Sequence, residues 1–409
     1  MNTSLKDNNT LSLTLLKRLA RYRPFCVNGL QPIFVLFTSV FLILANMTGC
    51  NPQAENLESV EYAPLRGDDW PVSTPAEQGL DPKLVAKLYL DAAKLQTLFG
   101  LLVVKNGYLI AEKYFNEGSI EQLSGRQSAT KSFTSALVGI ALDQGYLSSV
   151  DQKMIEFFPE FAGQINDPRK EQITIRDLLQ MRGGYPDEER TPPYFEILYF
   201  SGNWHHVPHI VDFPLISDPG AEFNYSNLTS HLLGVIVARV CGTDLKSYAQ
   251  ANLFTPIEAE VGNWTTDADG YNWGHSEIYV TARDMAKFGL LYLNDGVYEG
   301  KRVISADWVR DSLNRYSENI KVGEWLTSRY GYFRDLGYGY QWWSGRAGKH
   351  HFNYAAGHGG NYIVLLHELD MIIVTTADPL HDLWEGDPWK YEGAINNVVG
   401  RFIKSLPRK

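Results

Sequence analysis

The sequence predicts an α+β fold: one antiparallel sheet flanked by helices and built from N- and C-terminal segments, with a mainly helical subdomain inserted between them. Three observations predict it. Strand-like runs occur near residues 101–114 and again near 336–376. The first two runs flank Asn106-Gly107, the strongest short hairpin signal. From about 128 to 315 the pattern is mainly helical, with long polar loops. Strands supplied by hairpins rather than by strand–helix–strand units pair antiparallel.

In chain order, the first fifty residues read as an address. Lys6, Lys17, Arg18, Arg21 and Arg23 face Asp7 alone, and the apolar run Ile33–Ala45 follows, ending in Met47-Thr48-Gly49-Cys50. A basic region, a short apolar region and small residues before a cut make a secretory signal over 1–49. The ending resembles a bacterial lipobox, with Cys50 as the lipidated residue. The chain is therefore expected to be exported to a bacterial cell envelope and held at the membrane by an N-terminal lipid or anchor. Residues 50–77 carry Pro and Glu with little periodicity and read as a linker. The remaining domain spans 78–405, with sheet parts at 78–127 and 330–405 and a helical part at 128–329.

Asp81-Pro82 offers an N-cap and a proline at the first helical position, and Leu84, Leu88, Ala92 and Leu95 continue at helical spacing. The apolar runs Leu336–Trp343, Phe352–Ala356, Asn361–His367 and Met371–Thr376 read as strands. Ile395, Val399 and Ile403 mark a closing helix. Cys241, at the end of an apolar helical pattern, reads as a core residue, and with Cys26 in the signal and Cys50 lipidated no disulfide framework remains.

The formal net charge of -10, with the basic residues of the N-terminus included, leaves an acidic body without a basic run. That excludes nucleic acid as the main partner, since phosphate binding needs clustered Lys and Arg.

The helix beginning near Ser128 carries the chemistry. Phe133, Leu137, Ile140 and Ala141 form its buried face, while Ser128, Lys131, Ser132 and Ser135 share a second, polar stripe. Ser128 and Lys131 are thus neighbours one turn apart. A serine hydroxyl attacks only when a base takes its proton, and a lysine serves as that base when burial or a nearby cation lowers its pKa. The spacing alone is weak, because S-x-x-K arises about once by chance in a chain of this length and composition. Tyr225-Ser226-Asn227 follows a Pro-Gly turn and opens a helix, so its phenol and amide can face one site. Tyr114-Phe115-Asn116 and Tyr292-Leu293-Asn294 share the Y-x-N spacing but end a strand and a helix. Gly357-His358-Gly359-Gly360-Asn361 lies between two strand runs, where glycines let a ligand or backbone approach closely.

In this order, Ser128–Lys131, Tyr225–Asn227 and His358–Gly360 match S-x-x-K, Y-x-N and H-x-G. The chain thereby resembles the class C β-lactamase-like serine hydrolases, or penicillin-recognising enzymes, and within them the 6-aminohexanoate-dimer hydrolase and esterase branch. The stretches Ile173–Leu179, Thr281–Asp284 and Gly337–Trp343 resemble the family too. The resemblance implies a β-lactamase/transpeptidase-like fold with the site between its two parts. It implies Ser128 as acylated nucleophile, Lys131 and Tyr225 as the acid–base pair, and Asn227 as a contact to lysine or substrate. It further implies that His358, Gly359, Gly360 and Asn361 form a substrate- and oxyanion-binding edge, the oxyanion donors being the amides of Ser128 and Asn361. The implied substrate is a small ester or amide, with no metal and no organic cofactor. Where β-lactamases carry Lys-Thr-Gly this chain has His358-Gly359-Gly360, which removes a fixed cation and predicts weak or absent β-lactam turnover.

Two readings compete from other classes. One is a non-catalytic ligand-binding or structural envelope lipoprotein with the same fold. The other is a metallohydrolase using His205, His206 and His209, which Pro208 and the lack of a completing ligand argue against, leaving a solvated loop. His350-His351 likewise reads as a hairpin loop. Within the hydrolases, D-alanyl peptidase and β-lactamase remain alternatives to esterase or amidase. The loop Arg182–Trp204, rich in Tyr, Phe and Pro, is expected to form a wall of the pocket.

Overall fold

Local signals account for the first elements. In the computed structural model, which describes residues 56–408 apart from 66, 68, 200–204, 322–329 and 382–388, Asp81 caps helix α1 (Pro82–Ala92) by accepting a hydrogen bond from the Lys83 amide. Strands β1 (Leu98–Lys105) and β2 (Tyr108–Tyr114) are joined by Asn106 and Gly107, whose φ values of 50° and 79° match the right-handed twist of a two-residue hairpin. Helices α2 (Thr130–Asp143), α3 (Asn227–Cys241) and α4 (Ala282–Leu293) follow. Strands β3 (Arg334–Tyr338), β4 (Trp343–Ala347), β5 (His350–Gly357), β6 (Asn361–Leu366) and β7 (Met371–Ala377) come next, and helix α5 (Lys390–Ser405) closes the chain. The signal region and Cys50 lie outside the described residues. Among the described residues no single helix is long and apolar enough to cross a membrane.

The seven strands form one antiparallel sheet in the order β2-β1-β7-β6-β5-β4-β3. Its seam is the pairing of β1 with β7, Leu102 opposite Val374 and Val104 opposite Ile372, so the two ends of the domain meet in the middle of the sheet. Alternation then divides the core. Leu102, Val104, Ile363, Leu365, Ile372 and Val374 face the helical segment, packing with Phe133, Leu137, Leu232 and Phe288. Leu101, Val103, Tyr362, Val364 and Ile373 face the other way, under Val85 and Leu88 of α1 and Ile395, Val399 and Ile403 of α5. Both sheet faces are thus covered, and α2 is buried all round from Thr130 to Ala141 rather than presenting a solvated polar stripe.

Four expectations change. The run Leu336–Trp343 is two strands, not one, because Gln341 adopts a left-handed φ of 61° and its amide bonds to the Leu179 carbonyl, pulling the chain out of the sheet. The stretch read as a linker packs along β2 before the domain begins: Tyr62 O accepts from the Glu112 amide, the Leu109 amide bonds to Pro71 O, and Trp70 is buried. It covers an edge strand that would otherwise offer free backbone groups. His350 is not in a loop; it is buried at the start of β5, with one ring nitrogen against Glu368 and the other on Leu406 O. Cys241 is half-buried at the last turn of α3 rather than in the core.

Phe133 stacks on Phe288 with ring centroids 4.0 Å apart and on Phe254 at 5.7 Å, where α2 meets α4. Phe133→Ala is expected to lower unfolding free energy by about 3–5 kcal/mol in urea denaturation; a loss below ~1 kcal/mol would contradict this packing.

Candidate active site

Ser128 does not begin the helix itself. It sits in a 3-10 turn, Gln127–Ala129, immediately before α2. Gln127 is held at a left-handed φ of 47°, uncommon for a non-glycine residue. Its side-chain amide donates to Glu277 Oε1 at 2.5 Å and its carbonyl accepts from Thr130 Oγ1 at 2.6 Å. The turn is also braced by the buried Arg126, whose guanidinium donates to the carbonyls of Val280 and Gln122 and to Asn361 Oδ1. Loss of water pushes Arg126 down to about 9.

One turn on, Lys131 is fully buried, and its Nζ lies 2.9 Å from Ser128 Oγ. The same Nζ donates to Asn227 Oδ1 at 2.7 Å and to the His275 carbonyl at 2.9 Å. It also sits 4.9 Å from the ring centroid of Tyr225. That ring stacks on Trp343 (5.6 Å, 28°) and meets Tyr338 edge-on. Ser128, Lys131, Tyr225 and Asn227 are therefore brought together from two segments, 128–131 and 225–227. The paired tryptophans part company: Trp343 backs Tyr225, whereas Trp342 is buried on the other sheet face against Tyr292 and Phe288.

The glycine-rich segment is the β5–β6 turn, and it adjoins the serine turn through its first residue. A β-carbon at Gly357 would run into the Arg126 carbonyl and crowd the Ala129 amide, so only glycine lets β5 come this close. The other members point elsewhere. The Asn361 side chain is fully buried, bonding His358 O, the Ala377 backbone and Arg126, so its amide group braces the turn and only its backbone faces the question of oxyanion binding. His358 Nδ1 is 3.2 Å from Glu392 Oε2, without hydrogen-bond alignment, and the ring packs edge-on against Trp389. Glu392 also accepts from the Gly359 amide and the Tyr362 hydroxyl.

Several contributors have no local signature in the sequence. Glu188, fully buried, accepts from Ser226 Oγ (2.7 Å), the Asn227 amide (2.8 Å) and the Leu228 amide (3.1 Å), capping α3 where the Tyr225–Asn227 segment enters it. It comes from the Arg182–Trp204 loop, of which residues 200–204 lie outside the described set. Gln341 ties α2, α3 and the Ile175–Leu179 helix together: its carbonyl accepts from Ser132 Oγ, its Oε1 from Ser230 Oγ, and its Nε2 donates to Leu178 O and Leu179 O. Gln341 lies inside a stretch singled out by resemblance, as do Thr174–Asp177 and Thr281–Asp284, both of which are capping boxes.

The three clustered histidines are not the solvated loop expected. His205 is half-buried, 2.6 Å from Asp269, whereas His209 is buried against Phe213. His206 turns fully inward, where it meets His231 and Asp267, residues far away in sequence. Burial pushes His206 down to about 3.

A family model described as Beta-lactamase matches residues 100–391. The 6-aminohexanoate-dimer hydrolase of Paenarthrobacter ureafaciens is 28% identical over 257 residues, 59% of this chain and 63% of that protein, so the match spans less than two thirds of its length. Among solved structures, a penicillin binding protein from Bacillus halodurans gives a TM-score of 0.56 at 19% identity, covering 75% of this chain and 98% of that one. The D-amino acid amidase from Ochrobactrum anthropi SV3 gives 0.55 at 17%, covering 78% and 97%. At these identities the two structures establish the fold, the α+β arrangement expected.

Burial raises Glu188 from 4.5 to about 7, against the three donated hydrogen bonds that favour its charged form. The folded state therefore binds a proton that the unfolded chain releases, and this contribution, full below 4.5, is lost as pH rises through about 7. The stability of wild type relative to Glu188→Gln should fall over that window, with a slope approaching about 1.4 kcal/mol per pH unit at its steepest. Urea midpoints at pH 5 and pH 8 measure it; an unchanged difference counts against the shift.

Proposed function

The chain belongs to the beta-lactamase family of serine hydrolases, and from that membership we propose that it cleaves an ester or small amide bond through an acyl-enzyme on Ser128. The observation that carries the proposal is Lys131 Nζ, 2.9 Å from Ser128 Oγ and fixed by two further acceptors. With Asn227 Oδ1 and His275 O taking two of its positions, the third is aimed at the hydroxyl. There the amine, once it has shed its own proton, takes the serine proton as Oγ attacks the carbonyl carbon.

Tyr225, its ring against the same amine, relays the proton from Lys131 to the leaving alcohol or amine as the bond from that group to the carbonyl carbon breaks. The backbone amides of Ser128 and Asn361 hold the oxyanion, a role supported by the seating of the β5–β6 turn against the serine turn. Water then gives a proton to the same pair and attacks the acyl carbon, the bond from that carbon to Ser128 Oγ breaks, and Oγ takes the proton back as the acid leaves.

The substrate class follows from the turn. With His358 beside the carboxylate of Glu392 and no lysine in its place, this turn itself offers no fixed cation to a β-lactam carboxylate. Linear esters and small amides are favoured, in keeping with the relative named for the 6-aminohexanoate dimer. Wild type should react with a fluorophosphonate probe, gaining one adduct by intact mass, and turn over p-nitrophenyl esters or aminohexanoate dimer far better than nitrocefin or D-Ala peptides. Ser128→Ala should lose labelling and at least about a thousandfold in kcat. Equal behaviour of the two proteins sinks the acyl-enzyme, and nitrocefin turnover matching the best ester sinks the substrate class.

From the sequence alone we further propose export to the cell envelope and anchoring through Cys50. Metabolic labelling with a palmitate analogue in a bacterial host should mark wild type and not Cys50→Ala; an unlabelled wild type would refute the anchor.

A further inference from the structure

Behind the lysine, on the far side of the loop that carries the His275 carbonyl, lies a second cluster that the acyl-transfer scheme leaves unused. His206, His231 and His275 are 0%, 0% and 1% exposed, so all three rings are closed off from bulk solvent. His206 Nε2 bonds to the Leu198 carbonyl at 3.1 Å, and His231 Nε2 to Asp267 Oδ2 at 3.1 Å. Each ring therefore donates through Nε2 and keeps its lone pair on Nδ1. Neither Nδ1 has a hydrogen-bond partner among the described residues, and neither nitrogen of His275 has one. Four buried imidazole nitrogens left unsatisfied in one place call for an occupant, since each gives up its hydration without a replacement partner.

The rings also converge. Their centroids are separated by 5.0 Å (His206–His231), 5.8 Å (His206–His275) and 5.9 Å (His231–His275), at interplanar angles of 88°, 65° and 77°. Imidazoles bound through nitrogen at ~2.0–2.1 Å around a tetrahedral ion place their centroids roughly 5 Å apart. The ligand-capable atoms of His206, His231 and Asp267 lie within 4.8 Å of one another, Asp267 through its bond to His231, and His275 joins this group by its ring distances alone. Stacking of His275 on Trp273 (5.1 Å, 24°) accounts for its ring face and leaves its nitrogens unexplained.

We propose that His206, His231 and His275 bind a divalent first-row transition ion of the zinc type, with Asp267 orienting His231. The Leu198 carbonyl and the Asp267 carboxylate fix the tautomers that turn both Nδ1 lone pairs inward, as the outer partners of metal-bound histidines do. Asp267 is itself set by the amides of Asp269 and Tyr271, both donating to Oδ1. An ion here would lock the 264–280 loop, and with it the carbonyl that holds Lys131, without touching the serine. The site does not depend on the acyl-enzyme reading.

The test uses the full chain, stripped with chelator, loaded with Zn2+ or Co2+ and desalted. Wild type is expected to keep about one zinc per chain by mass spectrometry, to melt at higher temperature with Zn2+ than with EDTA, and with Co2+ to show the strong visible absorption of a four-coordinate ion. In Asp267→Asn, Oδ1 still serves the two amides while the new N–H faces His231 Nε2. This moves the His231 proton to Nδ1, and zinc affinity should fall roughly ten- to a hundredfold with the circular dichroism unchanged. His206→Gln and His275→Gln should retain only background zinc. A wild type that keeps no zinc and shows no cobalt spectrum overturns the proposal, leaving an imidazole–indole packing cluster. So does zinc uptake by Asp267→Asn or His275→Gln equal to that of wild type.

Discussion

The constraint on which the site depends is the burial of the Lys131 amine. Taken out of water without partners, such a group would cost several kcal/mol. Three acceptors offset that cost, and they come from three places in the chain: Ser128 from the turn before α2, Asn227 from the first residue of α3, and His275 from a loop almost 150 residues away. Meeting all three at once forces α2, α3 and the 264–280 loop into one register. Neighbouring bonds hold that register: Thr134 Oγ1 donates to Gly274 O, Gln341 links α2 to α3, and Glu188 caps α3 from a fourth segment. The lysine is thus a structural knot as much as a chemical one, and a change that loosens any strand of it misplaces the amine relative to the hydroxyl.

The elements legible in the sequence are those whose signal is local. Asn106-Gly107 between apolar runs, Asp81-Pro82 before a 3.6-residue repeat, and Ser226 before α3 each act through neighbours a few residues apart, and each element forms where its signal stands. The pairing of Ser128 with Lys131 was legible for the same reason, being one helical turn. What the sequence conceals are partners set by tertiary contact. Nothing within several residues of Glu188 marks it as the cap of a helix that begins at 227. Likewise, Tyr338, Tyr340 and Trp342 have the composition of a continuous strand, which the bonds from the Tyr340 amide to Ser312 O and from the Gln341 amide to Leu179 O break. The His206 cluster fails in the same way. Its neighbours in sequence, His205 and His209, have other surroundings, while its neighbours in space are at 231, 267 and 275.

The approach of β5 to the serine turn shows how a small residue sets a functional distance. Gly357 lets the strand touch the Arg126 carbonyl, and Arg126 in turn spans to Asn361, so the start of β6 is fixed relative to Ser128 through one buried guanidinium. The residues that follow are committed to the opposite side: His358, Gly359 and Tyr362 converge on Glu392 of α5. The turn therefore works as a hinge plate, with its backbone toward the serine and its side chains anchored in the outer layer. A lysine at 358 would meet that buried carboxylate, and its charge would be neutralised there.

His275 joins the two parts of the site that the sequence keeps apart. Its carbonyl receives the Lys131 amine, while its ring enters the cluster with His206 and His231. Because one residue serves both, the position of the carbonyl is coupled to whatever fixes the ring. Thr134 reinforces the coupling by holding the preceding Gly274, whose Cα packs against Gly234 of α3. Any displacement of the imidazole must be absorbed by the backbone between two such close contacts, and that backbone carries one of the three acceptors of the buried amine. The rigidity of the loop behind the lysine, rather than the serine turn alone, therefore determines whether the hydroxyl and the amine stay within hydrogen-bonding distance.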